Sequence, residues 1–178
     1  YVDIDAVTLF GRLLNLGSLL GVALLGFVWN RQRGASAELA LLTPVLYLAF
    51  PILIPWAVTV RPDFPSLLFS LLALCCIGYR GSTAWVMVAG LSAGLAFLIR
   101  HNAVAVPVAV VLWLAWNRRW RHAAIFCGIW GLVVGATLVL FNLSSSGMLL
   151  MNLSGAKFGR LALTYSRDSL LRLLLSPG

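Results

Sequence analysis

Six apolar runs, roughly residues 9–29, 38–59, 64–79, 84–99, 103–117 and 123–143, follow one another with only short polar gaps between them. A helix needs about 20 residues to cross a hydrocarbon core. The third and fifth runs are a little short, so their helices must take in flanking loop residues, which draws the charges at their ends to the membrane surface. Hydropathy supports a membrane setting: 61% of the chain is hydrophobic, 10% is charged and the mean hydropathy is +0.97, whereas about a quarter of the residues of a soluble domain carry charge. The expected fold class is all-α, a polytopic transmembrane helix bundle of about six spans over residues 1–143. An extracytoplasmic segment, 144–178, follows. The opening Tyr1 and the closing "LLLSPG" read as the ends of a piece of a longer protein, and "YVDIDAV" lacks the basic region of a signal peptide.

Thirteen Lys and Arg against five Asp and Glu give a net charge of +8. A nucleic-acid binder would gather such charge on one face or in a tail. Here the arginines sit in the gaps between apolar runs, so no nucleic-acid partner is expected. Arg31 and Arg33, Arg80, and Arg118, Arg119 and Arg121 occupy alternate gaps, and the gaps between them hold only Arg61 and Arg100. Six against two places the first set in the cytoplasm. The Arg61 and Arg100 loops and the C-terminal segment then lie outside a plasma or inner membrane that the chain crosses several times. Trp29, Trp56, Tyr79, Trp85, Trp116 and Trp120 fall near span ends, as an aromatic belt does. Gly17/Gly21, Gly90/Gly94 and Gly131/Gly135 are small-xxx-small pairs that let helix backbones approach. Pro44, Pro51 and Pro55 in the second run predict a bent span beside a cavity.

Few polar residues remain. Thr8, Arg12 and Asn15 share one helical face, either because Arg12 snorkels to the surface or because a polar stripe points into the bundle. In "VRPDFP", Asp63 reads as a helix cap with Pro65 in the first turn and Arg61 as an interfacial anchor. Alternatively, Arg61 and the "IRHN" group of Arg100, His101 and Asn102, at the same membrane face, form a site for a lipid phosphate, with Asp63 orienting Arg61 or a hydroxyl. His101 reads as a hydrogen-bonding loop residue rather than a metal ligand, since metal sites need several ligands together. Cys75, Cys76 and Cys127 lie in apolar runs without ligand spacing, and no metal site is expected. The tail from Ser144 ends in a run with Ser166 as a cap and Arg167 and Arg172 among leucines, an amphipathic helix on the membrane surface. The "NLS" triplets at Asn142 and Asn152 are too short to carry an argument.

"FGRLLNLGSLLGVALL", a proline-containing span leading to "VRPDFPSLLFSLLALC", and "AGLSAGLAFLIRHNAVAVP" together resemble the membrane core of the C-type glycosyltransferases. The likeness is to the bacterial branch related to dolichyl-phosphate-mannose protein mannosyltransferases and lipid A aminoarabinose transferases, and covers most of residues 8–116. The resemblance implies a membrane enzyme of the cell envelope that moves a sugar from a polyprenyl-phosphate carrier to an acceptor protein, lipid or glycan on the extracytoplasmic side. It implies a contact to donor phosphate or acceptor for Arg61, Asp63 and Arg100. The family's general base, on its first outer loop, would lie upstream of Tyr1. Some relatives bind a divalent metal, but the residues here identify no site for one. The competing class is a transporter or flippase for a lipid-linked or anionic substrate. It is disfavoured because transporters place charge near the bilayer midplane, whereas this chain keeps its charge at the span ends.

Overall fold

The computed structural model describes residues 4–79 and 82–144. The expected surface helix around Ser166 to Arg172, Arg80, and the sequon at Asn152 lie outside them. Among the described residues there are seven helices and no strand: α1 (Ile4–Gln32), α2 (Ala37–Leu48), α3 (Leu53–Ala57), α4 (Asp63–Gly78), α5 (Thr83–Ile99), α6 (Ala105–Trp116) and α7 (Trp120–Ser144). These residues separate into two units, one ending at Val134 and the other starting at Gly135. The first holds the helix packing described below.

By length and composition, α1 and α7 can each cross a hydrocarbon core. The apolar helices α2, α4, α5 and α6 have 12, 16, 17 and 12 residues. On α1 the large side chains of Leu9, Phe10, Leu13, Leu16, Leu20 and Leu24 are exposed. A largely apolar surface of that kind suits lipid rather than water as its neighbour.

The second apolar run, expected as one bent span, is split into two helices. Pro44 is accommodated inside α2, and the helix ends before Pro51, leaving residues 49–52 outside any helix before the short α3. A cavity of about 410 Å³ lies between α1, α2 and α4, with Thr43 and Tyr47 of α2 in its wall. The turn from α1 into α2 closes through bonds from Ala35 N–H to Asn30 O and from Gly34 N–H to Arg31 O, both 3.1 Å. Gly34, at φ +85°, supplies the left-handed residue that this helix ending requires. Ser36 then caps α2, its hydroxyl accepting from Leu39 N–H.

α4 and α5 form an antiparallel pair whose seam is made of small residues. Ala73 and Cys76 of α4 and Val86, Ala89 and Ala93 of α5 are buried there, with Val110 and Leu114 of α6 and Phe126 of α7 completing the core. Of the three glycine pairs, Gly90/Gly94 is the one used in full. A Cβ at Gly90 would sit 3.1 Å from Phe126 O and one at Gly94 would sit 2.8 Å from Val133 Cγ1, so α5 approaches α7 as only glycine allows. In the first pair only Gly21 is crowded, by Leu68. Gly17, Gly131 and Gly135 face open space among the described residues.

Candidate functional site

The end of the bundle where α4 begins and α5 ends brings the Arg61 and Arg100 loops together. Asp63 is the first residue of α4, and Arg100 is the residue at which α5 stops, its N–H donating to Ala96 O at 3.0 Å. Their side chains form an ion pair. Each charge also lies at the helix end whose dipole favours it, the carboxylate at an N-terminus and the guanidinium at a C-terminus. One turn further in, the buried Ser66 hydroxyl donates to Ala96 O at 3.0 Å, so a second bond braces the same two helix ends.

This arrangement corrects two expectations. Pro62, not Asp63, precedes α4, and no side chain caps that end. Asp63 is engaged across the bundle, with Pro65 in the first turn as expected. Nor does Asp63 pair with Arg61: the Arg61 guanidinium lies over the Trp56 ring, 4.7 Å from its centre. The sequence offered Asp63 the nearer arginine, but α4 turns its first residue toward α5, where the end of the antiparallel partner presents Arg100.

The loop that carries Arg61 is shaped by α1. Asn15, 1% exposed, donates from its amide nitrogen to Trp56 O at 2.9 Å and to Thr59 O at 2.7 Å. Thr59 donates its own hydroxyl to Trp56 O at 2.9 Å. One turn earlier on α1, Gly11 lets Val60 approach so closely that a Cβ would meet Val60 Cγ1 at 2.8 Å. The polar stripe is therefore divided: Asn15 points inward and holds a loop, Thr8 is half-buried, and the longer Arg12 is exposed. His101 and Asn102 are exposed in the turn after α5, which closes through Ala103 N–H to Arg100 O at 2.9 Å.

Arg61, Asp63 and Arg100 thus stand on a framework supplied by Gly11, Asn15, Trp56 and Ser66. Of these, Asn15 carried a signal in the sequence, as a buried-depth amide on a polar stripe, and Ser66 carried one by its spacing of one turn from Asp63. Trp56 reads in the sequence only as a belt residue, and Gly11 belongs to no glycine pair. Arg100 is 46% exposed and Asp63 23%, so the pair leaves guanidinium donors open to a further anion. Among the described residues no three His, Cys, Asp or Glu side chains gather as a metal site.

No curated protein and no solved structure matches the chain. The family comparison does match, over residues 10–146, a stretch that takes in α2 to α7 and nearly all of α1 together with both loops of the braced end. With more than half of its length so matched, and with two helices long and apolar enough to cross a membrane, the chain belongs to the dolichyl-phosphate-mannose-protein mannosyltransferase family and is, in general terms, a membrane glycosyltransferase.

Proposed function

We propose that this chain forms a donor-phosphate site of an enzyme that transfers a sugar from a polyprenyl-phosphate carrier to an acceptor on the extracytoplasmic side of the cell membrane. In this reading the six apolar runs are six spans, the second being α2 and α3 together, and the braced end of α4 and α5 faces outward. Arg61 and Arg100 hold the carrier phosphate at headgroup depth, with His101 and Asn102 offering further hydrogen bonds from the adjoining turn. Asp63 is a positioning residue that fixes the Arg100 guanidinium.

Transfer forms a bond from the acceptor oxygen to the anomeric carbon and breaks the bond from that carbon to the phosphate oxygen. Negative charge grows on the departing phosphate, and fixed guanidinium groups stabilise it most where water is scarce. Trp56 and Asp63 preorganise the two arginines, so little reorganisation is needed as that charge develops. A carboxylate that takes the acceptor proton is a separate requirement, which Asp63 does not meet while it is engaged with Arg100.

The observation that supports this reading is the Asp63–Arg100 pair, which joins the two outer loops and leaves Arg100 accessible. In the intact protein, Arg61→Ala and Arg100→Ala should each lower transfer from a polyprenyl-phosphate sugar by roughly 10²-fold or more, as loss of a transition-state charge donor does. Arg100→Lys keeps the pair's charge but not the planar fork, and should recover only part of the loss. Membrane insertion should be unaffected in all three. Full activity in both alanine variants would remove the phosphate site.

A further inference from the structure

A second basic site lies at the other end of α4, roughly 24 Å away at 1.5 Å per helical residue. The last turns of α1 and α4 meet the α6–α7 turn there around a cavity of about 440 Å³ that holds Gln32, Arg33 and Arg119. A smaller cavity of about 230 Å³ shares Trp29, Arg33 and Trp113 with it and is also lined by Leu74, Ala109 and Val110. A polar mouth thus opens onto an apolar slot lined by half-buried Leu74, exposed Ala109 and buried Val110.

Both arginines are held in place. The Arg33 guanidinium lies 4.5 Å from the centre of the Trp29 ring, and Trp29 in turn rests on Gly78, where a Cβ would meet the indole at 2.9 Å. Arg119 lies 5.8 Å from the centre of the Trp113 ring. Its backbone is fixed by a bond from Arg119 N–H to Leu114 O at 2.9 Å, which closes α6 with Arg118 at φ 54°. Stacking uses the guanidinium faces and leaves the N–H edges free to bond. Among the described residues neither guanidinium meets a carboxylate.

We propose that this end of the bundle binds an anionic phospholipid, its phosphate between Arg33 and Arg119 and one acyl chain in the slot beside Leu74, Ala109 and Val110. Two unneutralised guanidiniums call for an anion, and the apolar slot below them calls for a hydrocarbon tail on the same molecule. A soluble phosphate would use the first feature and leave the second empty. The inference rests on the helices spanning a membrane and not on sugar transfer, so it is read without any transferase assay.

The test is native mass spectrometry of the intact, detergent-solubilised protein titrated with phosphatidylglycerol or phosphatidylcholine. Phosphatidylglycerol should be retained in preference. Arg33→Gln with Arg119→Gln should weaken its binding at least tenfold, because both charge-assisted contacts to the phosphate are lost. Arg31→Gln with Arg121→Gln removes the same charge from neighbouring positions and should leave binding intact. Ala109→Trp keeps every charge, fills the slot and should also weaken binding; it decides the matter if the double arginine variant does not fold. Equal loss in the two charge variants, unchanged binding in Ala109→Trp, or displacement of the lipid by millimolar inorganic phosphate would each overturn the proposal.

Discussion

Asn15 shows how one side chain settles the surroundings of another. Its amide holds two carbonyls of the segment that ends in Arg61, and it does so at 1% exposure. In a low-dielectric interior an amide without partners is costly, and a carbonyl that loses its donor is costly too. Asn15→Leu fits the apolar setting but removes both bonds. Trp56 O would keep the Thr59 hydroxyl, and Thr59 O would lose the Asn15 donor. The expected cost is about 1–3 kcal/mol of stability, seen as a lower thermal midpoint of the detergent-solubilised protein, with reduced transfer as the Arg61 loop loosens. An unchanged midpoint would mean that the loop is held by Val60 on Gly11 alone. The Asp63–Arg100 pair works differently. Side chains this exposed would add only about 0–1 kcal/mol in water, so its importance lies in where it holds Arg100.

Among helices, close approach is concentrated at α5. Gly94 lies against Val133, and a Cβ there would come within 2.8 Å of Val133 Cγ1. Gly94→Leu should therefore force α5 and α7 apart and cost about 1–3 kcal/mol, the usual penalty for overfilling a packed seam. Gly131→Leu, on α7 and facing open space among the described residues, should stay within about 0.5 kcal/mol of the parent. Thermal unfolding of the two variants side by side checks this, and equal losses would mean that glycine matters here for some reason other than packing. The three glycine pairs look alike in the sequence because the pattern records only spacing on one helix. Which pair faces a neighbour depends on the rotation of that helix against others, which no single helix encodes.

For the whole molecule, the reading to test is that six apolar runs make six spans with the braced end outside. Cysteines placed at exposed His101 and Gln32, in a background lacking Cys75, Cys76 and Cys127, should label differently in whole cells. An impermeant maleimide should reach position 101 directly and position 32 only after permeabilisation, and the reverse pattern would invert the arginine-based orientation. The sequence by itself determined the all-helical class, the apolar runs, the proline-driven departure of the second run from a straight helix and the arginine-bearing ends, because hydropathy, proline geometry and charge placement are local properties. It also determined that Arg61, Asp63 and Arg100 are the polar groups that need explaining. Tertiary structure alone decided how they pair. Asp63 takes Arg100 from 37 residues away rather than Arg61 from two, and Arg61 lies on Trp56 instead. Nearness along the chain does not fix the direction in which a helix end points, and that direction is set by the antiparallel packing of α4 on α5 and by the hold of Asn15 on the loop between.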